Sequence, residues 1–316
     1  MKNVIFGSGI TGLFAKALLP GWTVIPFGRS RFFTFNPALD DNFIICSEEI
    51  DEPVRDICRA PTKTFLYRRA FDVGGHLFGK YDKGLCQDWL TKIFGLQVPG
   101  QAEPYMNNRL DLFIYDIRVN QLYGELLQRY LGELKEEHAK GKITEIGDHY
   151  FVRNGKKEEF DNAVNTIPLN VLNNLMGLQQ ELPAKPAHFF HIQTKHLDFE
   201  GYNQTLITDS KFSFYKVANI APDRYLFYCH EEIQQPGPYF MALMPDFEIL
   251  DGTSVGDYIP MGPMPNLEHL EQKGVYSVGS YAQWDWCIDV SSCITRLVRY
   301  ANRNFKPFKK QILVRP

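Results

Sequence analysis

Three glycines near the start of the chain carry the clearest chemistry. Val4-Ile5-Phe6-Gly7-Ser8-Gly9-Ile10-Thr11-Gly12-Leu13 joins a short apolar run to glycines at the spacing that receives a dinucleotide pyrophosphate. Gly7 permits a tight turn, Gly9 lets the backbone approach phosphate, and Gly12 lets the following helix pack close to the strand. The helix N-terminus then offers free N–H groups and partial positive charge to the anion. The plainer reading is a structural glycine turn. A second segment, Val278-Gly279-Ser280-Tyr281-Ala282-Gln283-Trp284-Asp285-Trp286, sets another glycine beside three large aromatic side chains. A third stretch, residues 296–316, holds Arg296, Arg299, Arg303, Lys306, Lys309, Lys310 and Arg315 with no acid, interleaved with Tyr300, Phe305 and Phe308. Basic and aromatic side chains together can hold phosphates and stack bases. Cations at a helix C-terminus also simply offset the macrodipole. Arg59, Lys63, Arg68 and Arg69 form a smaller basic cluster.

Composition bounds what these segments can be part of. With 316 residues the chain can bury a large core, as one large or two interleaved domains. Its formal charge of −3 selects no class of partner. Aromatic residues make up 14%, which suits a cleft packing on a flat ligand. Cys46, Cys58, Cys86, Cys229, Cys287 and Cys293 show no C-x-x-C pair, so buried thiols of a reducing compartment are expected and no metal site is. The sequence goes directly into its first strand, so no leader is expected, and no apolar run reaches membrane-spanning length. A cytoplasmic protein with no membrane partner is expected; its oligomeric state is not legible.

The elements that must position the glycines follow from punctuation and periodicity. Residues 1 to about 30 read strand, helix, strand, with Pro20-Gly21 breaking the helix before Trp22-Thr23-Val24-Ile25. Asp72-Val73-Gly74-Gly75-His76 reads as a turn leading toward a helix over Gly84 to Phe94. Leu122, Leu126, Leu127, Tyr130, Leu131 and Leu134 recur at helical spacing within Asn120 to Glu137. Lys142 to Ile146, His149 to Arg153 and Glu159 to Val164 read as a small meander, with Asn154-Gly155 as its hairpin turn. Tyr225 to Tyr228 and Tyr239 to Met244 read as strands, and Pro260 to Pro265 as loop. A final helix is expected over about Asp289 to Asn302, with Asp289 a good N-cap.

Five pieces, in order, resemble the flavoprotein superfamily that includes monoamine and polyamine oxidases, protoporphyrinogen oxidase and UDP-galactopyranose mutase. They are the glycine-rich opening, Gly74-Gly75-His76, Asp161-Asn162-Ala163-Val164-Asn165-Thr166-Ile167-Pro168, Phe214-Tyr215-Lys216-Val217-Ala218-Asn219, and the segment from Gly279 to Trp286. The resemblance implies an α/β fold, with a Rossmann-like FAD-binding domain of the GR2 type interleaved with a smaller α+β substrate domain. Residues 1–85, 138–175 and 270–316 would form the first, and 86–137 and 176–269 the second. FAD is the implied cofactor. Its adenylate half would lie on Gly7, Ser8, Gly9, Ile10, Thr11, Gly12 and Leu13. Its ring would lie between Gly74-Gly75-His76 and Trp284 to Ile288, with Ile143, Thr166, Gly279 and Ser280 as further contacts. Tyr281, Trp284 and Trp286 would wall ring and substrate, Trp284 being preferred beside the cofactor. They read equally well as core aromatics.

Two departures stand out. Relatives carry an acid at the end of the second strand, whereas here Pro26-Phe27-Gly28-Arg29-Ser30 offers Arg29 or Ser30 instead. Arg29 and Arg31 admit NADP as a lesser reading. Ser280 stands where relatives carry a charged residue.

By the resemblance, Lys216 is the candidate charged group near the ring and His76 can polarise flavin or substrate. Tyr215 and Tyr228 are substrate-side candidates. The implied reaction is oxidation of a C–N bond in an amine or amino-acid-like group by hydride transfer to flavin N5. Three alternatives stay open. One is action on an amine-modified base in nucleic acid, through the basic C-terminal segment, as in viral DNA hypermodification. Another is mutase-like chemistry by reduced flavin, which would need paired cleft arginines, with Arg109 and Arg118 available. The third is a non-catalytic FAD-binding protein.

Overall fold

A computed structural model describes residues 2–27, 40–58, 63–100, 102–107 and 109–304. The chain opens with β1 (Asn3–Phe6), α1 (Ile10–Leu18) and β2 (Thr23–Ile25), then α2 (Asp51–Cys58), β3 (Thr64–Val73) and β4 (His76–Phe78). Next come α3 (Lys83–Phe94), α4 (Ala102–Asn107), β5 (Asp111–Tyr115) and the long α5 (Val119–Ala139). A meander of β6 (Ile143–Gly147), β7 (Tyr150–Arg153) and β8 (Lys156–Glu159) leads to β9 (Asn162–Asn165) and α6 (Leu169–Leu175). Then follow β10 (Ala184–Gln193), β11 (Gln204–Ile207), β12 (Phe214–Ala221), β13 (Arg224–Cys229), α7 (Pro236–Met241) and β14 (Glu248–Pro260). The described chain finishes with α8 (Glu268–Glu271), β15 (Val275–Ser277), α9 (Ser280–Gln283) and α10 (Val290–Asn304).

Two sheets matter for function. The first runs β15-β9-β1-β2, all parallel. Its strands are short and apolar because helices and the meander cover both faces, as parallel sheets require. The second runs β14-β10-β13-β12-β11-β3-β4, with β5 also paired to β3. It is antiparallel except where β11 runs parallel to β3. Strand β3 is shared along its length: Thr64–Arg68 pair with β5, and Arg69–Asp72 pair with β11.

Side chains weld these layers. Ile5, Leu13, Phe14, Leu126 and Leu297 are fully buried where α1, α5 and α10 pack over the parallel sheet. Lys16 lies inside that layer, its ammonium donating to Trp22 O at 2.6 Å and to Glu133 at 2.8 Å, which ties α1 to α5. On the other face Phe6 meets Phe27, Phe151 and Phe160 edge-on at 5.8–5.9 Å, fastening the meander to the sheet. Each such buried aromatic stabilises by roughly 1.5–3 kcal/mol over an exposed one.

The structure redraws several expectations. Residues 159–164 do not close the meander. β8 does so, while β9 leaves it to pair with β1 and β15. Asn154 and Gly155 take φ of 51° and 73°, the positive values that a tight hairpin turn needs. Tyr239 to Met244 is no strand: Pro236 starts a helix, and Phe240 is buried among Phe190, Phe227 and Phe247. Sheet membership also divides the chain differently from the sequence-based domains. Residues 64–78 hydrogen-bond into the second sheet, and α5 packs with the parallel one. No helix among the described residues is long and apolar enough to cross a membrane.

Candidate functional site

In the parallel sheet the chain leaves β1 toward β2 on one side, while β9 and β15 lie on the other. A crevice opens beyond the carboxyl ends of strands at such a reversal, and open α/β sheets bind ligands there. The three segments that follow β1, β9 and β15 meet at this point. Gly7 has φ of +109°, and a Cβ there would stand 2.5 Å from Thr166 Oγ1. A Cβ on Gly12 would stand 2.1 Å from Gly7 O, so helix and turn can close only with glycine at both positions. Nothing lies within 4 Å of a Cβ at Gly9, which therefore bares backbone without serving internal packing. Thr166 Oγ1 donates to Phe6 O at 2.8 Å. Behind it the buried Asn165 receives Ile167 N and donates to Ser277 Oγ, locking the ends of β9 and β15 together. Gly279, at φ +124°, swings the chain into α9.

A cleft of about 260 Å3 runs from these turns to the second sheet. One wall carries Ile10, Thr11, Thr166, Gly279, Ser280 and Ala282. The start of α10 supplies Ile288, Asp289 and Val290. Across from them stand Arg69, Gln204, Leu206, Tyr215, Lys216 and Tyr228 of the second sheet, with Trp89, Tyr105 and Trp286 alongside. The aromatic set is packed rather than scattered. Trp89 lies 5.9 Å from Trp286 and donates its indole N–H to Tyr215 O at 2.6 Å, while Tyr105 lies 5.8 Å from Trp286.

The polar centre of the cleft is Asp41. Its Oδ2 accepts from Lys216 Nζ at 2.9 Å, Gln204 Nε2 at 2.7 Å and Tyr228 O–H at 3.0 Å, and its Oδ1 accepts from Tyr67 O–H at 2.8 Å. The Lys216 ammonium also sits 3.4 Å from the centre of the Tyr228 ring. Burial draws the Lys216 pKa down from its ordinary value, and the Asp41 carboxylate opposes that shift. The Tyr67 phenol is pushed well up, first by burial and then by Asp41. A second ion pair borders the cleft where Arg109 Nη1 meets Asp289 Oδ2 at 2.5 Å. The other oxygen of Asp289 accepts Ser292 N, capping α10 as its sequence suggests.

These placements sort the expected site residues. Lys216, Tyr215, Tyr228, Tyr281, Trp286 and Ile288 line the cleft together with Ile10, Thr11, Thr166, Gly279 and Ser280. Gly7, Ser8, Gly9 and Gly12 build the turn beneath them. Gly74, Gly75 and His76 do not join the cleft: they form the exposed tip of the β3–β4 hairpin, where Gly75 N donates to Asp72. Trp284 turns the other way, at φ 55°, and is buried with its indole N–H on Pro183 O. The left-handed conformation at Trp284 ends α9, and Trp286 rather than Trp284 lines the cleft. Ile143 is buried in the core under the meander and does not line the cleft. Arg29 lies outside the described residues, as does the basic segment beyond residue 304. Asp41, Arg69, Trp89 and Gln204 were not foreseen as site residues. Arg69 stood only within a basic cluster.

No family model and no curated protein sequence matches the chain. Solved structures do match in fold. Reduced UDP-galactopyranose mutase superposes with a TM-score of 0.65 at 12% identity, over 96% of this chain and 93% of that one. Cyclohexylamine oxidase from Brevibacterium oxydans gives 0.58 at 10% identity, over 96% and 98%. A flavin-dependent brominase gives 0.54 at 13% identity, over 95% and 79%. The fold is therefore the Rossmann-like flavoprotein fold, with a second sheet facing the glycine turns.

Proposed function

We propose that the protein is an FAD-dependent oxidoreductase that oxidises a C–N bond in an amine or amino-acid-like substrate. The observation that carries this reading is the cleft itself. A switch-point glycine turn with no room for a Cβ at Gly7 or Gly12 faces an aromatic wall holding one part-buried ammonium. The residues fit the cofactor. Gly7 to Gly12 and the N-terminus of α1 suit a pyrophosphate, Thr166, Gly279 and Ser280 continue that wall, and the aromatic wall suits a flat ring. Bound there, FAD would supply the acceptor for a hydride from the substrate carbon.

The chain's own residues do the rest. Trp89, Tyr215 and Trp286 keep water from the reacting carbon and orient an uncharged amine. Asp41 holds Lys216 in place, so that the ammonium can donate a hydrogen bond into the cleft without drifting. The Arg109–Asp289 pair fixes the start of α10, whose N-terminus favours negative charge nearby. The test is a spectrum of the purified protein with added FAD, followed by anaerobic titration with amino acids, polyamines and amine-modified DNA. Bleaching near ~450 nm by one class supports the reading and names the substrate. A protein that cannot be loaded with FAD overturns it.

A further inference from the structure

Charges in the cleft do not cancel. Lys216 is matched by Asp41, and Asp289 by Arg109. Arg69 also lines the cleft and is 92% buried (8% exposed), yet among the described residues no carboxylate lies within ion-pairing distance of its guanidinium. Its Nη1 donates to Arg109 O at 3.1 Å, while its buried Nε finds no acceptor among the described residues. The guanidinium rests against the packed pair of Phe43 and Tyr67, 5.2 Å and 5.7 Å from their ring centres. A buried guanidinium without a counter-ion is costly. Here it is held rigid by two rings and a backbone carbonyl, as a preorganised anion receptor would be.

We propose that Arg69 anchors an anionic group, a carboxylate or a phosphate ester, carried by the substrate. This rests on reading the cleft as a substrate site. The position of Arg69 favours substrate over cofactor, because it belongs to β3 in the second sheet and shares a wall with Gln204, Lys216 and Tyr228 rather than with the glycine turns. A substrate anchored at Arg69 would reach the reaction through a group remote from the bond being broken. Simple unsubstituted amines would then be poor substrates.

Three probes of matched shape decide the question: benzoate, phenyl phosphate and benzamide. Trp89 and Trp286 line the cleft, so quenching of tryptophan fluorescence reports occupancy with or without FAD. In the FAD-loaded protein, benzoate or phenyl phosphate should bind at least roughly tenfold more tightly than neutral benzamide. The tighter of the two anions distinguishes a carboxylate from a phosphate ester. Arg69→Gln should weaken the anion by roughly ten- to a hundredfold, with FAD affinity unchanged, and Arg69→Lys should retain part of it. Equal binding of benzoate and benzamide to the wild-type protein overturns the proposal even if Arg69→Gln does not fold. Loss of FAD rather than anion affinity in Arg69→Gln also overturns it, by assigning the arginine to the cofactor. If the protein takes no FAD, the oxidoreductase reading fails, while fluorescence titration of the FAD-free protein still judges the receptor at Arg69.

Discussion

Asp41 is the residue on which most of the cleft's polar order converges, and four partners depend on it. Breaking a buried ion pair by removing one member leaves the other uncompensated and costs about 3–5 kcal/mol. Asp41→Asn and Lys216→Met should each destabilise by an amount approaching that range. The double variant should cost clearly less than the sum, which a urea-unfolding double-mutant cycle measures. At Gly12 the effect is steric: Gly12→Ala drives a methyl against Gly7 O, so the turn must open and FAD affinity should fall by at least roughly tenfold in a flavin titration. At this scale the sequence was legible in part. Gly7, Gly9 and Gly12 announce themselves because their spacing is local. Asp41 could not be found, because its partners at 67, 204, 216 and 228 become neighbours only through the second sheet. That Trp284 turns into the core while Trp286 lines the cleft could not be read from spacing, because Trp284 takes a left-handed conformation at the end of α9.

Elements were read best where their periodicity was self-contained. The amphipathic α5, the Asp82-capped α3 and the Asp289-capped α10 all lie close to their expected limits. β14 escaped notice because its order comes from pairing with β10 rather than from its own pattern. α7 was mistaken for a strand because its aromatics suit either state until Pro236 sets the first turn. The meander carries its own prediction. Glu158 accepts from Arg153 at 2.8 and 3.0 Å and from Lys2 at 2.5 Å, linking β8 to β7 and to the start of the chain. Burial acts to raise the Glu158 pKa, but the bonds from Arg153 and Lys2 outweigh it and hold the carboxyl down at about 2. A carboxyl with a lowered folded-state pKa adds stability above its unfolded value, near 4.5, and loses it as pH falls toward 2. Glu158→Gln should therefore lower the melting temperature at pH 7, and the gap to wild type should close between about pH 4.5 and pH 2.

For the whole molecule, the proposed cofactor would span turns from three strands and face a second sheet. It should therefore act on global rather than local stability. FAD at a hundred times its dissociation constant should add about 2.7 kcal/mol to unfolding, visible in scanning calorimetry as an upward shift of the main transition. A shift confined to a minor early transition would mean that FAD touches one sheet only. Legibility at this scale was mixed. The parallel βαβ opening could be anticipated from the glycine motif, and a second α+β domain from the family resemblance. The exchange of residues 64–78 and α5 between the two layers could not, because both depend on long-range pairing.

The strand order β15-β9-β1-β2 also sets a timetable for biosynthesis. β1 and β2 leave the ribosome early, yet β1 gains its second neighbour only when residues 162–165 arrive, and β9 gains its own only with residues 275–277. α10, which packs over α1, follows last among the described elements. Non-local pairing of this kind is slow, and unpaired edges attract association while they wait. Until residues 162–165 arrive, the first strand is thus open on one edge with an apolar sequence. Chains stalled before about residue 275 should be prone to aggregation and unable to retain the cofactor, so cofactor retention would mark the arrival of β15.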